Sequence, residues 1–175
     1  MSDQREVMNA AREAVKEAVL IASGSVKKEQ VLQGHVDTGR SLRSYEEVYE
    51  VSGDQVRGMV IAENYLIFVD TGIPKDKVNY QIEILISWFK RKGLPTKEAI
   101  RAAWATRFVH KKKDGIPTLA SRRFSKTGER TGFINAGLDR VEKELEEAFE
   151  RRLGIEIDLV ISRQPQEIDP IIYAI

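Results

Sequence analysis

Val-Asp-Thr-Gly occurs twice in this chain, at Val36–Gly39 and at Val69–Gly72, with the two copies starting 33 residues apart. Asp-Thr-Gly on a loop is what an aspartic protease uses, two carboxylates about 3 Å apart sharing one proton and each carried by its own β-rich lobe. The interval leaves no room for a second lobe with its own core, so one chain does not supply both halves of such a site. A homodimer needs one loop per chain, and Asp70, led in by Phe68 and Val69, is then the better carboxylate. The competing reading is turn chemistry, because Asp hydrogen-bonds its own backbone and Gly accepts positive φ. Gly34-His35 and Arg40-Ser41-Leu42 flank the first copy, Ile67-Phe68 and Ile73-Pro74-Lys75 the second, so the pair is no internal repeat. On this reading Asp37, Gly39, Asp70 and Gly72 are structural turns.

With 175 residues, 42% of them hydrophobic, the chain is expected to form a single α+β domain over 1–175 with a core of its own. Its 28 Lys and Arg against 27 Asp and Glu give no global field toward DNA or a membrane, so any nucleic-acid role needs a local patch. Without cysteine there is no disulfide, thiolate nucleophile or thiolate zinc site, and two histidines do not suggest a histidine metal site. The start of the chain lacks a signal-peptide pattern, and no apolar run reaches the length of a membrane span. The expectation is a protein of an intracellular compartment or of an assembly built there, with no membrane partner.

Apolar positions from Val7 to Ala22 follow a three-four rhythm, predicting a helix over about 3–23 with Gly24 as its stop. Alternation around Tyr45, Tyr49 and Val51, then Val56, Gly58, Val60 and Ala62, predicts a β-hairpin over about 44–62. Tyr65–Val69 reads as a short helix or bent segment. Helices are predicted over about 80–92, with Ile82, Leu85, Ile86 and Phe89 on one side, and over about 97–112, capped by Thr96, with Ala99, Ile100, Ala103, Trp104 and Phe108 buried. A long basic loop covers 113–132, a helix about 134–153 ends at Gly154, and a strand alternates over about 155–162 before an apolar tail, 163–175. The order predicts a small, mainly antiparallel sheet packed against helices.

No phosphate loop, nucleophile elbow, His-Glu-x-x-His or EF-hand spacing is present, so no enzyme, catalytic residue, metal site or cofactor is expected. The acidic run from Glu142 to Glu150 is interspersed with Lys143 and reads as a solvated helix face. Charge concentrates elsewhere. Between Arg107 and Arg130, eight cations, among them Lys111, Lys112, Lys113, Arg122, Arg123, Lys126 and Arg130, face only Asp114 and Glu129, about +6 in 24 residues. Such a segment can meet phosphates without reading sequence, dock on an acidic protein surface, or simply keep the loop in solvent. Ile168, Ile171, Ile172, Tyr173 and Ile175 make the tail a candidate interface, either on the protein's own sheet or on a neighbouring subunit.

Two blocks resemble a known family. His35 through Tyr45, the hairpin, and then Tyr65 through Gly72 are similar to the opening half of the tail-completion or neck proteins of long-tailed bacteriophages. There a VDTG-x-L-x-x-S loop leads into the first strand and a Y-A-x-x-V-E-x-G-T segment follows the hairpin. Gly115-Ile116-Pro117 through Thr131-Gly132-Phe133-Ile134-Asn135-Ala136-Gly137-Leu138 is similar to the family's passage into its last helix. The blocks cover roughly a third of the chain. Asp70 stands where the family tends to have Glu, Ile73 replaces Thr, and the segment from Tyr80 to Lys112 looks like an enlargement. The resemblance implies a non-enzymatic virion component: a subunit forming a homo-oligomeric ring at the head–tail junction. It would contact adaptor or portal-side proteins and tail-tube or tail-terminator proteins, and let DNA pass. Beside it stand an accessory nucleic-acid binder using the basic loop and the homodimeric aspartic protease.

Overall fold

The computed structural model describes residues 2–53 and 55–154. The protein is α+β, mostly helical with one two-stranded antiparallel sheet. Its elements run α1 (Ser2–Leu32), α2 (Arg40–Arg43), β1 (Glu46–Ser52), β2 (Gln55–Ile61), α3 (Tyr65–Thr71), α4 (Ile82–Arg91), α5 (Thr96–Val109), α6 (Phe133–Asp139) and α7 (Glu142–Leu153). The backbone gathers into two compact units. Among the described residues, the first comprises the chain up to Val31, Val36–Leu66 and 133–154, the second Leu32–His35 and Ile67–Gly132. The strand expected over 155–162 and the tail residues Ile168, Ile171, Ile172, Tyr173 and Ile175 lie outside the described residues.

In the first unit α1 is the organising element. It does not stop at Gly24 but continues to Leu32, because Gly24 lies on the exposed side, where its lack of a side chain costs about 1 kcal/mol against alanine and breaks nothing. Ala18 packs with Val141 and Leu145, and Ile21, Ala22 and Phe149 close round them, joining α1 to α7. On the same stretch of α1, Val15 and Val19 pack so closely under Gly58 that a Cβ there would meet both. Tyr49 pairs with Gly58, so the sheet lets α1 approach at the one position without a side chain.

From Ser23 onward the buried residues of α1 are Ser23, Val26, Glu29 and Gln30, mostly polar, which is why apolar periodicity misses the end of the helix. Hydrogen bonds partner two of them. Gln30 donates to Ser41 Oγ at 2.8 Å and accepts from Tyr45 OH at 3.0 Å, while Ser23 donates to Glu47. Lys27 reaches the same Glu47 carboxylate at 3.1 Å. Hydrogen bonding from Ser23, then from Lys27, lowers the Glu47 pKa below its ordinary range. Satisfied polar groups of this kind fix register as much as they stabilise.

The helix expected over 134–153 is broken into α6 and α7 at Arg140 and Val141. At the break, Arg140 turns to Glu29, and just before it Gly137 admits the α1 backbone at Val26, with Ser25 Oγ donating to Gly137 O at 2.7 Å. Phe133 opens α6 fully buried, a burial that contributes roughly 2–3 kcal/mol.

In the second unit, Ile73 and Ile116 form an isolated antiparallel bridge, with N···O distances of 2.6 and 2.8 Å. Gly72 and Gly115 flank it at φ 78° and 82°, and a Cβ on Gly72 would lie 2.7 Å from Ile116 O. Only glycine meets both demands. Helix α4 buries Ile82 and half-buries Leu85, Ile86 and Phe89, as its pattern predicts. It ends in a Schellman motif, Leu94 N donating to Phe89 O and Gly93 N to Lys90 O, with Gly93 at φ 92°.

Helix α5 departs from expectation in three ways. Pro95, not Thr96, is the residue before its first turn, and a π turn over His110–Asp114 replaces its last turn. Its buried face is also narrower than predicted. Ala99 and Ala103 are fully buried against the neighbouring structure, while Ile100, Trp104 and Phe108 are exposed. Two alanines allow a close approach to α4, and residues one position farther round the helix are then carried outward.

Candidate functional site

The residues with chemistry to offer lie mainly in the second unit. Lys111, Lys112 and Lys113 sit in the π turn after α5, Lys112 and Lys113 exposed and Lys111 half-buried. The stretch expected as loop 113–132 contains a short 3-10 helix, Leu119–Phe124, which carries Arg122 and Arg123. Arg123 places its guanidinium 4.8 Å from the Phe124 ring centroid, and Arg122 lies 3.6 Å from Glu129. Lys126 donates its backbone N–H to Leu32 O at 2.8 Å, and the residue is exposed. Asp114 accepts from Leu119 N at 3.0 Å and so steadies the turn that precedes the basic segment.

Arg122 and Arg130 share a shallow pocket of about 120 Å³ with Pro117, Thr118, Leu119, Glu129 and Thr131. None of Lys111, Lys112, Lys113, Arg123 or Lys126 lines it. Arg130 is half-buried, and desolvation lowers its pKa from the usual arginine value. Beside it, burial and then the Arg130 charge push the His35 pKa down to about 4, so His35 is neutral at pH 7.

The two Asp-Thr-Gly turns have different local structure. Gly39, at φ 73°, is the residue before α2, and Thr38 Oγ1 accepts from Arg40 N at 3.4 Å. Asp70 and Thr71 are the last two residues of α3, and Gly72 N donates to Phe68 O at 2.9 Å to close it. Asp70 O in turn accepts from Gly132 N at 2.7 Å. Asp37 belongs to the first unit and Asp70 to the second.

A surface that the sequence pattern assigned to the core completes the picture. Ile100, Trp104 and Phe108 recur every four residues along α5 and are 39, 56 and 57% exposed. Lys97 and Arg101 are exposed on the same side of the helix. Arg107 lies 5.7 Å from the Trp104 ring centroid and 5.9 Å from that of Tyr80, whose hydroxyl meets His110 Nδ1 at 2.8 Å. Burial lowers the His110 pKa, opposed by Asp114, and raises that of Tyr80, opposed by Arg107. On α4, Trp88 is also partly exposed, with Lys92 Nζ 5.7 Å from its ring.

The charge balance separates along the same line. The second unit carries fifteen lysines and arginines against six aspartates and glutamates, an excess of nine positive charges. First-unit residues up to 154 carry twelve against seventeen, an excess of five negative. A net charge of +1 for the whole chain conceals this, and only the division of the backbone reveals it. Among the described residues no helix is long and apolar enough to cross a membrane, and no group of His, Asp and Glu is placed to hold a metal ion. Comparison with protein-family models, with curated proteins and with solved structures returns no match.

Proposed function

We propose that this chain is a structural virion protein of a bacteriophage, a neck or tail-completion subunit that forms a ring at the head–tail junction through which DNA passes. The observation that carries the reading is the placement of the motif blocks around one hairpin. The Val36–Gly39 turn leads through α2 directly into β1, and the Tyr65–Gly72 block follows β2 as α3. The block from Thr131 to Leu138 opens α6 with Phe133 in the core. That is the order in which the resembled family carries them. A long helix with polar and apolar contacts on several sides, and a second unit rich in exposed aromatics, suit a subunit whose surfaces are completed by neighbours.

The adaptor or portal-side proteins and the tail-tube or tail-terminator proteins are its expected partners. Location tests the reading. Gold labelling of the protein in intact virions should fall at the head–tail junction; labelling confined to the shell or the fibres, or absence from purified virions, contradicts it. A second reading, an accessory nucleic-acid binder, is favoured by the positive excess of the second unit. Titration with duplex DNA at rising salt separates the two, since an accessory binder should lose affinity steeply when Arg122, Arg123 and Lys126 are replaced.

A further inference from the structure

We propose that the outer face of α5, carrying Lys97, Ile100, Arg101, Trp104 and Phe108, is a self-association surface that docks on the acidic unit of a second copy of the chain. The inference deepens the reading of the protein as a ring subunit and rests on it.

Three observations lead there. Single exposed apolar side chains are ordinary on any protein, but three on consecutive turns of one helix face form a row, and two of them are large aromatics more than half exposed. Tryptophan and arginine are the residues that most often carry interface energy, and Ile100 and Phe108 gain only from burial, which phosphate groups do not provide. A protein surface is therefore the fitting occupant.

The sign of the charge then selects which protein surface. Lys97 and Arg101 add positive charge beside the row, within a unit that has nine positive charges in excess. Pairing this face with a second copy of itself would set positive surface against positive surface, at a cost in like-charge repulsion. The complementary charge is present in the same chain, in the unit with five negative in excess up to residue 154. A contact between unlike surfaces of identical subunits is heterologous, and heterologous contacts propagate head to tail, closing as a ring where the rotation between subunits closes and running on as a filament where it does not. Arg107 lies 5.7 Å from the Trp104 ring centroid, a cation–π contact beside the row.

Trp88 and Trp104 are the two tryptophans of the chain, which makes the face its own reporter. In the full-length Trp88→Phe variant, with folding checked by circular dichroism, Trp104 emission is followed together with particle mass as protein concentration rises. Emission should shift to the blue in step with assembly, and both should weaken when salt rises from about 0.05 to about 0.5 M, where surface charges are screened. Adding Lys97→Glu with Arg101→Glu should weaken self-association by roughly 10- to 100-fold. Lys75→Glu with Lys77→Glu makes the same charge change on exposed residues outside α5 and should leave it within about threefold.

Assembly with unchanged Trp104 emission overturns the inference and leaves the ring reading standing. Equal weakening by both charge-reversed pairs also overturns it, as does emission that responds to an added DNA 20-mer and not to protein concentration. A wild-type protein that stays monomeric throughout overturns the inference and the ring reading together.

Discussion

Glu29 and Arg140 meet at 2.9 Å across the first unit, the carboxylate 2% exposed and the guanidinium half open to solvent. Glutamate is seldom buried without a paired charge, because an unpartnered carboxylate loses its hydration. Placing Arg140 at the break between α6 and α7 gives Glu29 that pair and ties the C-terminal end of α1 to the last described elements. Arg140→Ala should therefore destabilise the protein by about 1–3 kcal/mol, and Arg140→Lys by less, as read from urea unfolding midpoints at constant slope. An unchanged midpoint in the alanine variant would mean the pair contributes nothing.

Two glycines on helices should respond to alanine in opposite directions. A Cβ at Gly137 would lie 2.8 Å from Val26 Cα and 3.0 Å from Val26 N, backbone atoms that have no rotamer to move to. Gly137→Ala should cost about 1–3 kcal/mol despite its better helix propensity. Gly24, inside α1, has nothing within 4 Å of the corresponding position. Gly24→Ala should stabilise by about 0.5–1 kcal/mol, and thermal melts of the two variants on either side of the parent test both.

His35 should make stability fall on mild acidification. Its folded pKa of about 4 lies below the ordinary value near 6.5, so the unfolded chain takes up this proton first as pH drops. The contribution is fully present above about pH 6.5 and is lost progressively toward pH 4. Discounted for the partial exposure of the ring, the loss is on the order of 1–2 kcal/mol. In His35→Gln the decline between pH 7 and pH 5 should be shallower than in the parent. Parallel pH profiles for the two proteins would remove His35 as its source.

Much of the architecture is legible in the residues. The hairpin, α4 with its Gly93 stop and the Gly154 end of α7 follow from alternation, three-four spacing and glycine, while Tyr65–Val69, without a decisive period, leaves a short helix and a bent segment both open and is the helix α3. What escapes notice does so for physical reasons. Ser23, Glu29 and Gln30 are buried polar residues, invisible to a search for apolar periodicity, so the end of α1 goes unread. Ala99 and Ala103 take the core face of α5 because they are small, while Ile100, Trp104 and Phe108 look like core and are not. Lys111, Lys112, Lys113, Arg122, Arg123, Lys126 and Arg130 are recognisable as a cluster from charge alone. The charge separation between the units is not, because the second unit is flanked by parts of the first in sequence.

The claim on which the account turns is that this chain assembles with itself into a closed ring. Mass photometry of the purified full-length protein from nanomolar to micromolar concentration, with negative-stain images of the same samples, measures that directly. One discrete multiple of the 19.9 kDa subunit should appear as concentration rises, seen as annular particles with an open centre. A single monomer peak at every concentration, unchanged by neighbouring virion proteins and with no annular particles, would contradict it.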